Sequence, residues 1–205
     1  MSRRAIKHLR ATDPALGAII DRVGPYRLAP RTEGTHFDYV VRCIVGQQLS
    51  GKAAATIYQR VRDLYGGDFP TPAQFLKAPV AKLRAAGLSG RKVEYVKELA
   101  TRTEAKSIAI LGIHEMGDDE VMETLVSVRG IGRWTAQMVL MFRLGRPDIL
   151  PELDLGVQKA VQRLHRMRKL PTPQKLQKLG AKWAPYRTFA AWYLWRSLEL
   201  PAEAD

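Results

Sequence analysis

The sequence predicts an all-α protein, and three observations support that prediction. Apolar residues recur three and four positions apart in every segment with a clear hydrophobic period, which is the spacing of one helix face. No segment alternates apolar and polar residues in the manner of a half-buried strand. Residues that start or stop helices stand at the ends of these segments. A chain of 205 residues, 46% of them apolar, can build one large domain or two small lobes.

The N-terminal third is predicted to hold a charged arm and three helices. After the arm, Asp13-Pro14 supplies an N-cap and a first helical position for a helix that Gly24-Pro25 ends. Apolar residues at helical spacing predict a buried helix over 37–45, and Ser50 is placed to cap the next helix. An uncharged knuckle, Gln47-Gln48-Leu49, lies between the last two of these helices, where a polar turn between core helices is the simplest interpretation.

The rest of the chain continues the helical pattern. Two short helices and a longer one, over about 91–106, precede a pair of helices joined by a glycine-rich turn, over about 120–142. Pro147 and Pro151 then mark a loop. Three further helices are predicted to begin near Asp154, after Thr172-Pro173 and at Pro185.

The glycine-rich turn has the form of a helix-hairpin-helix, with the sequence Val128-Arg-Gly-Ile-Gly-Arg-Trp-Thr-Ala136. The amides of Gly130, Gly132 and Thr135 are expected at a helix N-terminus, where free N–H groups and the helix dipole favour an anion. An ordinary turn between two helices explains the glycines equally well. The motif alone therefore does not decide between a structural turn and a phosphate-binding one.

The charge of the chain indicates which anion to expect. The formal net charge is +13 at pH 7, and residues 155–198 contain ten Lys or Arg and no Asp or Glu. A nucleic-acid phosphate is the expected partner, although a protein with a merely basic surface has the same composition. Cys43 is the single cysteine, which excludes an internal disulfide and a cysteine-based metal or iron–sulfur site, so a reducing interior is expected.

Asp154 is the candidate for chemistry because it follows the hairpin and stands where a loop meets a helix. An aspartate at such a position is most often only an N-cap. Beside a phosphate-binding hairpin, a fixed carboxylate also suits cleavage of an N-glycosidic bond, since it stabilises the positive charge that develops on the deoxyribose and orients the attacking water. Asp148 and Glu152 are nearby rivals, but neither stands so clearly at the helix start.

Four segments together resemble the helix-hairpin-helix DNA glycosylases, and most closely the AlkA-type 3-methyladenine DNA glycosylases. They are Ile44-Val-Gly-Gln-Gln-Leu-Ser50, the hairpin, Leu150-Pro-Glu-Leu-Asp-Leu-Gly156 and Pro185-Tyr-Arg-Thr-Phe-Ala-Ala-Trp-Tyr-Leu-Trp195. The resemblance covers nearly the whole chain and implies a single glycosylase unit of two helical lobes flanking a cleft that takes an everted base. One lobe would span about 36–145 and contain the hairpin, and the other would combine about 1–35 with 146–205.

The resemblance also implies roles for individual residues. Asp154 takes the place of the catalytic aspartate. The residues that would hold the DNA backbone at the hairpin are Gly130, Gly132, Arg133 and Thr135. Trp134, Trp195 and Met138 correspond to the base pocket, in which an aromatic face suits a cationic alkylated purine. Met138 stands where the family pattern has an aromatic residue, which bears on the range of bases.

The knuckle corresponds to the loop that binds DNA and fills the gap left by the flipped base. The family pattern has an apolar residue at the position of Gln48. Two interpretations therefore stay open, in which either Gln48 fills the gap by hydrogen bonding or Leu49 fills it. Gln47 would belong to the same DNA-binding loop.

The resemblance implies no cofactor for catalysis. Main-chain carbonyls of Val126, Val128 and Ile131 would hold a structural monovalent cation, Na⁺ or K⁺. Trp134 occupies the position at which bifunctional members of the superfamily carry a Schiff-base lysine. No amine is therefore placed to attack C1′, and water is the expected nucleophile.

The expected function is that of a monofunctional DNA glycosylase. It would excise 3-methyladenine or 7-methylguanine from duplex DNA by base flipping, leave an abasic site and act in base excision repair. The alternatives are a glycosylase for ethenoadenine or deaminated purines, and a non-catalytic binder of damaged DNA. We expect a monomer that acts on damaged double-stranded DNA without a membrane partner, in the cytoplasm of a bacterium or the nucleus of a eukaryote.

Overall fold

The computed structural model of the protein describes residues 2–201. Within that range it contains α-helices, two 3₁₀ segments and no strand, which confirms the all-α prediction. The helices are α1 (Ser2–Thr12), α2 (Pro14–Val23), α3 (His36–Gly46), α4 (Gly51–Asp63), α5 (Pro72–Lys77), α6 (Val80–Ala85), α7 (Gly90–Glu104), α8 (Asp118–Val126), α9 (Arg133–Phe142), α10 (Leu155–Leu164), α11 (Pro173–Gly180) and α12 (Arg187–Ser197). The 3₁₀ segments are Ile110–Glu115 and Ala181–Trp183. Among the described residues, no helix combines the length and the apolar character needed to cross a membrane.

The chain divides into two compact units. The middle unit is Arg31–Leu144 and contains α3 to α9. The end unit is formed by both ends of the chain, up to Pro30 and from Gly145 onward, and contains α1, α2 and α10 to α12. The middle unit is therefore continuous in sequence, whereas the end unit is assembled from two separate stretches.

Helix α3 lies at the centre of the middle unit. Thr35 caps it by accepting a hydrogen bond from the amide of Asp38, and most of the helix is buried. It packs against α4, α7 and α9, while α5 packs on α7 and α8 on α9. Burying apolar surface on several sides of one helix gives this unit its own core, on which α7 and α9 are both held.

The two ends of the middle unit are bonded to each other. The Arg31 amide donates to the Phe142 carbonyl at 2.8 Å. The Arg143 guanidinium donates to the carbonyls of Arg31 and Glu33 at 2.7 and 2.8 Å, and its Nε–H donates to His36 Nδ1 at 3.0 Å. The chain thus enters and leaves the middle unit at neighbouring points.

Helix α12 organises the end unit by packing against α1, α2 and α10. Trp183 and Tyr193 are fully buried in this unit. Asp13 caps α2 by accepting from the Leu16 amide, and it also accepts from Trp183 Nε1 at 2.8 Å. The cap of an N-terminal helix is in this way tied to a core tryptophan from the C-terminal part of the chain.

The expectation of a charged arm at the N-terminus was wrong, because Ser2–Thr12 forms α1. This helix buries Ala5 and Leu9 and leaves its Arg and Lys side chains exposed. Two buried apolar positions four apart form only a short pattern, and basic residues surround them in the sequence. The last helix also begins at Arg187, two residues later than predicted.

Candidate functional site

The turn between α8 and α9 has a backbone that requires glycine at one position. Hydrogen bonds from the Val128 amide to the Leu125 carbonyl (3.1 Å) and from the Ile131 amide to the Val128 carbonyl (3.0 Å) close the turn. Gly130 has φ of +85°, and a Cβ at this residue would lie 2.1 Å from Cδ2 of Tyr95. A side chain would be strained in conformation and would clash with the ring, so the first hairpin glycine is needed by the fold itself.

Gly132 is the N-cap of α9 and has a different role. Its φ of −90° and ψ of 171° are open to any residue, and a Cβ there would meet no protein atom within 4 Å. The amides of Gly132 and Thr135 belong to the first turn of α9, where helix geometry provides no carbonyl acceptor. The second glycine therefore keeps the approach open to amides at the positive end of a helix dipole.

Helix α9 carries the base-pocket candidates of the middle unit. Trp134, in the first turn, is 40% exposed, and Arg133 beside it is also exposed. Met138 lies one helical turn further on and is only 8% exposed. Within this unit, Trp134 is therefore partly exposed, whereas Met138 belongs to the core.

The knuckle lies against the hairpin. Gln47 Nε2 donates to the Gly130 carbonyl at 2.8 Å and lies 3.4 Å from Thr135 Oγ1. Gln48 and Leu49 are exposed, and Gln48 has φ of +58°. The fold thus brings together two predicted DNA-binding segments that are far apart in sequence.

Asp154 caps α10 and is held by Trp195. Its Oδ1 accepts hydrogen bonds from the Val157 amide and from Trp195 Nε1, both at 2.8 Å. Gly156 leaves room for this arrangement, because a Cβ there would lie 3.0 Å from both Asp154 Oδ1 and Trp195 Cδ1. Two predicted site residues of the end unit are therefore in direct contact, and the indole N–H orients the carboxylate.

Arg187 is hydrogen-bonded to Asp148, one of the two rival carboxylates, and is affected by the charge of the other, Glu152. Its Nε and Nη2 donate to the two oxygens of Asp148 at 2.7 and 2.8 Å. Burial alone would raise the pKa of Asp148, but the hydrogen bonds from Arg187 outweigh it and hold that pKa below its ordinary value. The pKa of Arg187 is raised, chiefly by the hydrogen bonds to Asp148 and to a smaller extent by the charge of Glu152. Asp148 is therefore engaged in a bidentate ion pair, which gives it a structural role.

The hairpin carbonyls suit a monovalent cation in their chemistry. Val126 is the last residue of α8, so its carbonyl is one of the four that an α-helix leaves without an intrahelical donor. The Val128 carbonyl accepts from the Ile131 amide and keeps a second lone pair. Main-chain carbonyl oxygens are ligands that bind Na⁺ and K⁺. With the Ile131 carbonyl, the candidate residues supply three main-chain oxygens of this chemical type.

The sequence analysis missed a row of residues on α7 that supports this region. Lys92 Nζ donates to the Gln47 carbonyl at 2.8 Å, and Tyr95 packs beneath the first hairpin glycine. Glu98 accepts from the amide and from Nε of Arg129, at 3.1 and 3.0 Å. These three α7 residues recur at a spacing of three, which places them along one side of the helix. That spacing is the only signal in the sequence, because their partners are distant along the chain.

The chain is similar to known proteins over almost its whole length. A family model described as HhH-GPD superfamily base excision DNA repair protein matches residues 41–186. DNA-3-methyladenine glycosylase 1 of Schizosaccharomyces pombe is 35% identical over 196 residues, which cover 94% of this chain and 86% of the relative.

The structure is also similar to solved structures of proteins with similar names. The S. pombe 3-methyladenine DNA glycosylase (Mag1), in complex with abasic DNA, superposes with a TM-score of 0.84 at 33% identity, over 96% of this chain and 97% of that one. A DNA-3-methyladenine glycosidase from Bacillus halodurans gives a TM-score of 0.83 at 36% identity, over 94% of this chain and 88% of that one.

Proposed function

The chain belongs to the HhH-GPD superfamily of base excision DNA repair proteins, and from that membership we propose how it acts on DNA. It is a DNA glycosylase of the 3-methyladenine type. It hydrolyses the N-glycosidic bond of 3-methyladenine or 7-methylguanine in damaged double-stranded DNA and leaves an abasic site. The observation that carries this proposal is the Asp154 carboxylate held by the Trp195 indole at a helix start.

Asp154 stabilises the charge that develops during the reaction. As the glycosidic bond breaks, positive charge accumulates on C1′ and O4′ of the deoxyribose, and a nearby carboxylate lowers the energy of that state. The Val157 amide and the Trp195 indole hold Oδ1, so the carboxylate is oriented before the substrate arrives. Asp154 also orients or deprotonates the attacking water.

The hairpin holds the DNA backbone. A phosphate binds the amides of Gly130, Gly132 and Thr135, and the exposed Arg133 adds positive charge beside them. Such contacts fix the position of the DNA without reading its sequence. The exposed ring of Trp134 stacks on the everted base, and stacking and cation–π attraction both favour an alkylated, cationic purine.

Water is the nucleophile, and no lyase step follows. Trp134 occupies the hairpin position at which a lysine amine would be needed for a covalent Schiff base, and an indole cannot supply one. A cationic base is a good leaving group and needs no strong general acid. His165 is not placed to act as that acid beside Asp154. It stands at the other end of the helix that Asp154 starts, about 15 Å away along a helix of this length.

Two further features belong to the proposal. The carbonyls of Val126, Val128 and Ile131 hold a Na⁺ or K⁺ ion that stiffens the hairpin, while catalysis requires no cofactor. The protein acts as a monomer in the compartment that contains the DNA, which is the cytoplasm of a bacterium or the nucleus of a eukaryote.

The test is the variant Asp154→Asn. The amide oxygen of asparagine can still accept from the Val157 amide and the Trp195 indole, but it carries no charge. Release of 3-methyladenine and 7-methylguanine should fall by about 100-fold or more, the effect expected when transition-state charge stabilisation is lost. Binding to abasic DNA should stay within about threefold, since that affinity comes mainly from phosphate contacts. Both quantities are measured on the same duplexes.

The same assay separates the alternatives. Near-normal base release by Asp154→Asn would contradict the mechanism. Binding without release by the wild-type protein would identify a non-catalytic binder, and release only from ethenoadenine or deaminated duplexes would change the substrate. Borohydride added during turnover should trap no protein–DNA adduct, and a trapped adduct would establish a lyase step.

A further inference from the structure

The knuckle and the hairpin are joined by one side chain. Gln47 is half-buried, and its amide Nε2 donates to the Gly130 carbonyl at 2.8 Å, in the turn that is proposed to grip a phosphate. Thr135 Oγ1, on the first turn of α9, lies 3.4 Å from the same nitrogen. The amide of Gln47 is thus directed at protein atoms of the hairpin rather than at solvent.

Lys92 holds the same knuckle from α7. Its ammonium donates to the carbonyls of Val45 and Gln47, at 2.7 and 2.8 Å. These carbonyls lie at the end of α3, where the helix leaves its last carbonyls without intrahelical donors. A charged donor on two such carbonyls fixes the backbone on either side of Gly46.

Gln48 follows directly and is the exposed apex of the turn. Its φ of +58° lies in the left-handed region, which a residue with a side chain adopts only when its surroundings hold it there. The residue before it supplies that hold, through the hydrogen bond to Gly130 and the bonds from Lys92. The backbone of Gln48 is therefore held in this conformation, directly after the residue that bonds the hairpin.

We propose that Gln47 is a positioning residue that locks Gln48 to the phosphate-gripping turn, so that Gln48 enters the gap left by the flipped base once the hairpin has captured the backbone. This inference rests on the proposed glycosylase function and deepens it. Gln47 then acts through Gln48 rather than by touching DNA. The flipped base is kept from stacking back because the side chain that replaces it is rigidly placed.

The test uses Gln47→Met, which is close in size and cannot donate to the Gly130 carbonyl. Single-turnover release of 7-methylguanine is measured at saturating protein on two duplexes, one with cytosine opposite the lesion and one with a tetrahydrofuran abasic analogue opposite it. Release from the cytosine duplex should fall by about tenfold or more, and release from the unpaired duplex by less than about threefold, because only the paired base has to be pulled from its partner.

Two further variants make the result specific. Lys92→Met removes the hold on the Gln47 carbonyl and should give the same dependence on the opposite base. Gln59→Met makes the same change on α4 of this unit, at an exposed amide that bonds Asp63, and should alter neither rate. Thermal melting shows that each variant is folded.

The outcomes are distinct. An equal fall on both duplexes would make Gln47 a merely structural residue, and unchanged rates would remove its role altogether; either result overturns the inference. Failure of the wild-type protein on both duplexes would overturn the proposed function, and this inference with it.

Discussion

Two aspartates of the end unit share one local arrangement and differ in their surroundings. Asp13 and Asp154 each cap a helix, and each accepts from the N–H of a tryptophan indole, Trp183 or Trp195. Asp13 is 2% exposed and lies 3.0 Å from Lys182 Nζ, whereas Asp154 is partly exposed. A buried, ion-paired carboxylate supports the fold, while a partly exposed one can reach a substrate. Burial, and not the local motif, separates the structural role of Asp13 from the role proposed for Asp154.

The sequence could predict only part of this arrangement. The cap at Asp154 is local, because the amide that it accepts from lies three residues along, and such caps follow from residue type and position. The bond from Trp195 joins residues far apart in sequence and has no local pattern. The room that Gly156 leaves for the indole likewise depends on how α10 and α12 pack.

Asp13→Asn should lower stability at neutral pH without affecting base release. Burial alone would raise the pKa of Asp13, but hydrogen bonds from Trp183 and Lys182 outweigh it and hold the pKa below its ordinary value. A depressed carboxyl pKa contributes stability above the unfolded pKa, and that contribution is lost as pH falls through the folded pKa. The free energy of unfolding of the variant should be lower by about 1–3 kcal/mol at pH 7, as expected when a buried charge that accepts hydrogen bonds is removed.

Chemical denaturation at pH 7 and at pH 3 measures this difference, which should shrink at the lower pH. Asp154→Asn is the matched variant, since it changes the partly exposed member of the pair. Its effect on stability should be the smaller of the two and its effect on base release the larger. The reverse order would show that the two aspartates have been assigned to the wrong roles.

At the scale of elements, the two glycines of the hairpin differ in what they contribute. Gly130 is fixed by its positive φ and by the ring of Tyr95, so it serves the fold. Gly132 has an ordinary conformation and open space around it, so the fold does not require it, and its role is proposed to be access of a phosphate to α9. The motif predicted a tight turn and a helix start. It could not distinguish the two glycines, because Tyr95 comes from a different helix.

Gly132→Ala should weaken DNA binding and leave the fold intact. The new methyl group would meet no protein atom within 4 Å but would stand at the N-terminus of α9, where a phosphate is proposed to bind. Affinity for abasic duplex DNA should fall by about tenfold, which corresponds to roughly 1.4 kcal/mol. Fluorescence anisotropy gives the affinity, and thermal melting gives the stability.

Gly117→Ala is the control, because Gly117 is also an N-cap glycine with extended backbone and open surroundings. It precedes α8, whose first turn is acidic and does not attract a phosphate. Equal affinities for the Gly132 and Gly117 variants would show that the first turn of α9 does not contact DNA.

At the scale of the whole molecule, the hydrophobic period was enough to establish the all-α class. It missed α1, in which only Ala5 and Leu9 are buried, and the two 3₁₀ segments, which are too short to show a period. The hydrophobic period could not predict the hydrogen bonds that hold the candidate sites, which run from α7 to the knuckle and from α12 to Asp154. Contacts between distant segments depend on packing, and a single sequence records packing only indirectly.

The net charge of +13 predicts a strong effect of salt on DNA affinity. Each neutralised phosphate releases condensed counterions, so the logarithm of the affinity should fall linearly with the logarithm of the salt concentration. Between 50 and 200 mM salt the loss should be about 100-fold, as expected for roughly four neutralised phosphates. Titrations of duplex DNA over that range measure it.

The chemical step should respond differently. With saturating protein, the single-turnover rate of base release should change by less than about threefold over the same range, because Asp154 is proposed to act on the sugar and not on a phosphate. A rate that falls in parallel with the affinity would show that phosphate contacts contribute directly to catalysis.

The division of the chain also sets an order of events during synthesis. The middle unit is made as one continuous stretch, and Arg31 at its start bonds to Phe142 near its end, so it can close before α10 to α12 are made. Helices α1 and α2 precede the middle unit in the chain but pack on α12, which follows it. Trp195 lies on that helix, so the Asp154 carboxylate acquires its indole donor only after α12 has been made. A truncated chain that lacks α12 could still fold its hairpin, yet it would not hold Asp154 in the orientation that base release is proposed to require.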